Sequence, residues 1–152
     1  MRLYLDTSAL VKLHVDEEGS DLVREAVGQA ELTSTARIAY VEARAAFVRR
    51  RHTRELAPVD FRRVVRDLDA DWSRYLRIDV TEPLIRLAAQ LAERHGLRAY
   101  DAIHLASACM VRDRLAASVI FACWDSSLEA AAHREGLVSL RDRAAGPSSP
   151  GP

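Results

Sequence analysis

Four carboxylates are spaced so that an alternating strand–helix fold would bring them together. Asp6 follows the apolar run Leu3-Tyr4-Leu5 and is itself followed by Thr7 and Ser8. Asp125 stands just past a second apolar run, Val119 to Cys123, with only Trp124 between. Asp101 opens the segment Asp101-Ala102-Ile103-His104-Leu105-Ala106, and Glu42 lies within a long helical pattern. In open α/β sheets ligands bind beyond the carboxyl ends of the strands, which is where Asp6 and Asp125 would lie. Carboxylates gathered that closely disfavour one another's ionisation unless a cation neutralises them. An all-oxygen donor set suits a hard divalent ion, Mg²⁺ above all. Together these residues read as a metal-dependent phosphodiesterase site.

Each aspartate also precedes an expected helix, where aspartate is a favoured N-cap. Ser126 and Glu129 have the spacing of a capping box, which would cap their helix without Asp125. Thr7 or Ser8 would do the same for the first helix, leaving both aspartates free. Glu42 has Ile38, Ala39, Ala45 and Ala46 three and four residues away, so it has no ion-pair partner on its own helix. It is expected to point at something else. His14, His52, His95, His104 and His133 include no pair with zinc spacing on one helix, and His104 is expected to pack between helices. No Gly-rich phosphate loop, nucleophile elbow or dinucleotide fingerprint occurs, which removes the P-loop, α/β-hydrolase and Rossmann cofactor classes.

The elements that would position these groups alternate. Residues 2–6 read as a buried strand, followed by a helical turn over 8–14 and a helix from about 20 to 30. A second strand is expected over 31–34, then a helix over 36–51 with Ile38, Val41, Ala45 and Val48 as its apolar stripe. A longer helix over 59–76 carries Phe61, Val64, Val65, Leu68, Trp72 and Tyr75 at helical spacing. With Leu76, that is more large apolar surface than one helix of a small domain usually buries, which points to a dimer. A strand over 77–80 and a helix closed by Gly96 follow. The helix over 101–117 is apolar almost all round and should be buried. A strand over 119–123, a helix from about 126 to 135 and a short strand over 138–140 complete the order. This alternation implies a parallel sheet with helices on both faces. One domain is expected over 1–143, with a disordered Gly/Pro/Ser-rich tail over 144–152.

Bulk composition agrees with a globular chain of 152 residues, 49% apolar and 29% charged. Formal net charge is zero, so no global field draws in nucleic acid. All of the basic residues except Lys12 are arginine, the side chain that best matches phosphate geometry. The run Arg49-Arg50-Arg51-His52-Thr53-Arg54 is a candidate phosphate-backbone contact. Cys109 and Cys123 have no metal-binding or redox spacing and are expected to be buried and reduced, as suits a cytoplasmic protein. No apolar run approaches the ~20 residues needed to span a bilayer.

The stretch Leu5-Asp6-Thr7-Ser8-Ala9-Leu10, the mid-helix Glu42, the stretch Tyr100-Asp101-Ala102-Ile103-His104-Leu105-Ala106 and the late Asp125 resemble a PIN domain. More narrowly, the chain resembles the VapC toxins of bacterial toxin–antitoxin pairs over roughly residues 1–140. It departs from the usual pattern in carrying Trp124 before Asp125. The resemblance implies a three-layer α/β/α sandwich with a short, mainly parallel central sheet, and a homodimer. It also implies endoribonuclease activity with Mg²⁺ or Mn²⁺, an RNA substrate and a VapB-like antitoxin. Carried over by position, the metal-binding and catalytic acids are Asp6, Glu42, Asp101 and Asp125, with Ser8 ordering the site. The alternatives are a PIN nuclease of RNA processing and a non-catalytic, receiver-like binding module. Phosphoaspartate-forming phosphatases need a second aspartate where this chain has Ser8.

Overall fold

The computed structural model describes residues 1–146. The amino-terminal half runs β1 (Arg2–Leu5), α1 (Thr7–His14), α2 (Ser20–Gln29), β2 (Leu32–Ala36), α3 (Ala39–His52) and α4 (Pro58–Trp72). It continues through β3 (Leu76–Ile78), α5 (Glu82–His95), α6 (Ala99–Leu115) and β4 (Ile120–Ala122). The end is formed by α7 (Ser126–Arg134), β5 (Val138–Ser139) and α8 (Leu140–Ala145). The five strands lie in the order β3-β2-β1-β4-β5, and every pairing is parallel.

Side-chain alternation along the central strands divides the core in two. Leu3 and Leu5 of β1, with Ile120 and Ala122 of β4, face a cluster that includes residues of α1 to α4 and Leu140. Tyr4 and Phe121 face the other way, into the cluster formed with α5, α6 and α7. Their rings stack at 5.5 Å between centroids. Strands buried on both faces read as continuous apolar runs, and that is how β1 and β4 read. Burying each such leucine or phenylalanine contributes about 1.5–3 kcal/mol. The result is a three-layer α/β/α sandwich.

Four local expectations are corrected. β2 extends to Ala36 rather than ending at residue 34. Its Ser34 and Thr35 look solvent-facing in sequence, but their hydroxyls are buried and donate to the backbone oxygens of Leu3 and Leu5 at 3.0 and 2.8 Å. In α3 the buried face is Ala39, Ala43, Ala46 and Phe47, not the stripe through Val41, which is 64% exposed. Small alanines let a helix approach its neighbours closely, so here they win over the larger valines. The aromatic surface assigned to a dimer is largely spent inside the protein. Trp72 packs between Tyr40 and Tyr75, and Tyr75 is buried, whereas Leu76 opens β3 and stays half-exposed. Finally, residues 144 and 145 belong to α8, so the tail does not begin at 144. The rest of the tail, from 147 to 152, lies outside the described residues.

Both cysteines are buried and unpaired, and burial pushes the Cys109 thiol up to about 11. Among the described residues no helix is long and apolar enough to cross a membrane.

The α1–α2 turn is held against the end of β4 by a close approach. Gly19 has φ +87°, and a Cβ there would lie 2.7 Å from Cζ2 of Trp124. Gly28, within α2, has nothing within 4 Å of an added Cβ. Gly19→Ala should therefore lower unfolding free energy by about 1–3 kcal/mol, and Gly28→Ala should raise it by about 0.5–1 kcal/mol. Urea unfolding followed by circular dichroism checks both signs.

Candidate active site

β1 leads through its neighbours on one side to β2 and β3, while β4 and β5 lie on its other side. The carboxyl ends of β1 and β4 are therefore the switch point of the sheet, where open α/β folds form a crevice. The Asp6 amide donates to the Ala122 carbonyl at 3.1 Å, which ties the two ends together. Asp6 and Asp125 leave the sheet at this crevice.

Both aspartates are N-caps, which corrects the expectation that other residues would take that role. Asp6 Oδ1 accepts from the Ala9 amide at 2.9 Å and from the Ser8 hydroxyl at 2.7 Å. Asp125 Oδ1 accepts from the Leu128 amide at 2.8 Å. A cap uses one carboxylate oxygen, so capping leaves Oδ2 of each for other chemistry. Glu129 does not close a capping box. It instead accepts from the Ser139 hydroxyl and the Arg141 guanidinium, pinning α7 to the final turn of the chain. Ser8 has two contacts here: besides donating to Asp6, its oxygen accepts from the Trp124 amide at 3.1 Å.

Asp101 lies in the first turn of α6, and its Oδ2 accepts from Arg98 Nε at 3.0 Å. The same guanidinium stands 3.7 Å from Asp125 Oδ2. Arg98 is thus a cation between two of the expected acids. Its side chain is 79% exposed, so this bridge is weak and easily displaced.

Glu42 does point away from its own helix, as its missing helical partner implies. Its Oε1 accepts from the Thr7 hydroxyl at 2.8 Å and lies 2.9 Å from His104 Nε2. The His104 ring is buried, and its Nδ1 meets the Tyr4 hydroxyl at 2.9 Å. His104 is therefore more than a packing residue between helices. Thr7, His104 and Arg98 are the neighbours of the acids to which the sequence assigned no role at the site. A usable signal for His104 was its place in a helix apolar all round, since a buried imidazole needs two polar partners.

The electrostatics separate the acids. Burial pushes the Asp6 carboxyl up, and the charge of Asp101 adds to this. The opposing pull of His104, Ser8 and the Ala9 amide does not cancel it. Burial also acts to raise Glu42, but the hydrogen bonds from His104 and the Thr7 hydroxyl outweigh it and hold the carboxyl below its usual range.

Among the described residues no three His, Cys, Asp or Glu side chains stand close enough to grip an ion as they are placed. The donor chemistry nonetheless fits a hard divalent cation. The groups at the crevice offer carboxylate oxygens, Asp6 is raised by burial and by the charge of Asp101, and a guanidinium bridges Asp101 and Asp125.

The arginine run divides. Arg49 is exposed on a groove of about 450 Å³ that it lines with Thr7, Val41, Glu42 and Tyr100. Arg50 pairs with Glu17 at 2.9 Å, and the Arg51 guanidinium lies over the Phe61 ring at 4.5 Å. Arg54 sits at the turn after α3 with φ 64°.

The PIN domain model matches residues 3–122. A Mycobacterium tuberculosis protein named ribonuclease VapC45 is 34% identical over 134 residues, which cover 88% of this chain and 91% of the relative. In fold, PAE2754 of Pyrobaculum aerophilum aligns with a TM-score of 0.62 at 18% identity, over 95% of this chain and 88% of that one. The solved structure of VapBC2 from Rickettsia felis bound to a promoter DNA fragment aligns with a TM-score of 0.60 at 14% identity, over 91% and 97%. With Asp6 and Asp125 leaving the sheet at its switch point and these matches spanning most of its length, the chain belongs to the PIN domain family, among its VapC ribonucleases.

Proposed function

We propose that the protein is the toxin of a toxin–antitoxin pair, an endoribonuclease that hydrolyses RNA phosphodiester bonds with Mg²⁺ or Mn²⁺ in the cytoplasm. The observation that carries this reading is the buried Asp6 carboxyl, raised above its ordinary range beside Asp101 while Arg98 bridges Asp101 and Asp125. Such a site gains from a small, hard cation at its centre. Asp6, Asp101 and Asp125 would hold it, with Glu42 at the margin. When bound, the ion supplies a more acidic water and neutralises charge on the phosphoryl oxygens.

The chain's own groups do the positioning. Ser8 and the Ala9 amide fix one oxygen of Asp6 and so direct the other outward. Glu42 is held ionised and is available to order the attacking water or take up its proton. With a divalent ion held by these carboxylates, the exposed guanidinium of Arg98 would be available to meet a phosphate. The groove beside Glu42 has exposed Tyr100 and Val41 for bases and Arg49 for the backbone.

An adjoining groove, sharing Val41, Ala45 and Arg49 with it, suits the partner. A VapB-like antitoxin would lay an apolar segment along Tyr40, Val41, Ala45, Val48 and Phe61 and place a basic side chain among the acids, much as Arg98 stands there now. The relatives' ribonuclease names and the VapBC neighbour support this reading. A homodimer is part of the proposal.

Asp6→Asn and Asp101→Asn should each lower cleavage of a labelled RNA in Mg²⁺ by on the order of 10²–10³-fold, with circular dichroism unchanged. Excess EDTA should stop cleavage by the wild-type protein without unfolding it. Persistent cleavage in either experiment overturns the assignment.

Asp6 also sets a pH-dependent stability term. Its carboxyl is raised above the ordinary 3.8, so its favourable contribution to the metal-free protein is full below that pH and is lost as pH rises through the higher folded value. Asp6→Asn should therefore raise Tm in metal-free buffer at pH 7, and the gain should vanish as pH falls below about 3.8. Scanning calorimetry across that range reads the crossover.

A further inference from the structure

His104 is enclosed, 2% exposed on α6 one turn beyond Asp101. Both of its ring nitrogens are engaged. Nδ1 lies 2.9 Å from the Tyr4 hydroxyl, and Nε2 lies 2.9 Å from Glu42 Oε1 and 3.0 Å from Thr7 Oγ1. Tyr4 belongs to β1, and its buried phenol carries its proton at neutral pH, as phenols ordinarily do. A phenol that donates to Nδ1 leaves the ring proton on Nε2, where it can donate to the carboxylate. The line Tyr4–His104–Glu42 thus runs from the interior of the sheet to the crevice.

We infer that His104 is a positioning residue for Glu42: backed by Tyr4, it donates from Nε2 to Oε1 while Thr7 donates to the same oxygen, so that only Oε2 is presented to the reacting centre. This inference rests on the proposed role of Glu42 in RNA cleavage. Burying an imidazole against a carboxylate is costly, and apolar residues of similar volume would fill such a space at least as stably. The arrangement is worth its cost if the direction of the carboxylate matters. Thr7 sharpens that direction. It is the residue after Asp6, so the hydroxyl that orients Glu42 is built into the same strand end as the buried aspartate. Outer groups that orient a ligand or catalytic carboxylate typically change affinity or rate by about 10–100-fold.

Three variants and three readouts test it. Ring ¹⁵N NMR of the wild-type protein at neutral pH should show His104 as the Nε2–H tautomer. His104→Leu should lower kcat for an RNA oligonucleotide by roughly 10–100-fold with KM nearly unchanged, and weaken Mn²⁺ binding, measured by calorimetry without RNA, by roughly tenfold. His104→Gln, which keeps an N–H near the Nε2 position, should recover part of both losses. Tyr4→Phe should release the tautomer and give an intermediate kcat. An Nδ1–H tautomer in the wild type overturns the inference, and so does a folded His104→Leu protein with wild-type kcat and Mn²⁺ affinity. If His104→Leu does not fold, His104→Gln and Tyr4→Phe decide: wild-type values in both overturn it. If the wild-type protein cleaves no RNA, the nuclease reading fails separately, while the tautomer and the Mn²⁺ affinities still judge His104.

Discussion

Asp6 is 5% exposed at the end of the central strand, where a carboxylate loses most of its hydration and recovers only part of it from the Ser8 hydroxyl and the Ala9 amide. Burial of a charge is tolerated when hydrogen bonds and counter-charges compensate it. Around this group the surrounding elements are arranged accordingly. Ser8 links it to the Trp124 amide at the end of β4, and the Asp6 amide bonds to the Ala122 carbonyl. Gly19 lets the α1–α2 turn close over the Trp124 ring, while the Lys12 ammonium lies 5.1 Å from its centroid. The departure at Trp124 therefore has a structural counterpart: its large ring packs under the α1–α2 turn just before Asp125.

The opposite wall is made by α3 and α6. Because α3 buries alanines, it comes close enough for Glu42 to reach Thr7 and the buried His104. Seating the alanine face inward turns Val41 and Ala45 outward beside Glu42, so one packing choice both places the acid and makes the apolar groove at its side. The groove and the carboxylates are consequently parts of one surface.

The partners of the acids are graded by exposure. His104 is enclosed and its hydrogen bond contributes to holding Glu42 low, whereas Arg98 is exposed and spans two aspartates at 3.0 and 3.7 Å. An enclosed partner keeps its geometry, and an exposed one exchanges readily with solvent or another cation. Arg50 lies outside this gradation, since Glu17 already takes its charge. Of the run Arg49 to Arg54, Arg49 alone lines the groove beside Glu42 among the described residues.

Much of this was legible in the sequence, because the features concerned are local. Leu3-Tyr4-Leu5 and the run ending at Cys123 are continuous apolar segments, as two-sided burial requires, and the acids at their ends mark the crevice. The alternation of strand and helix was enough to set a parallel sheet with helices on both faces. Tertiary structure decided the rest. Nothing in spacing along the chain says that Ala39, Ala43 and Ala46 would be preferred over Val41 for burial, since that depends on how closely α3 approaches its neighbours. The partner of Glu42 lies 62 residues away on another helix, and Arg98 reaches Asp125 from the start of α6. Periodicity reports which face of an element is apolar. Which side chains meet across elements is set by packing distance and by the need to satisfy each buried polar group, and both come into being only when the chain has folded.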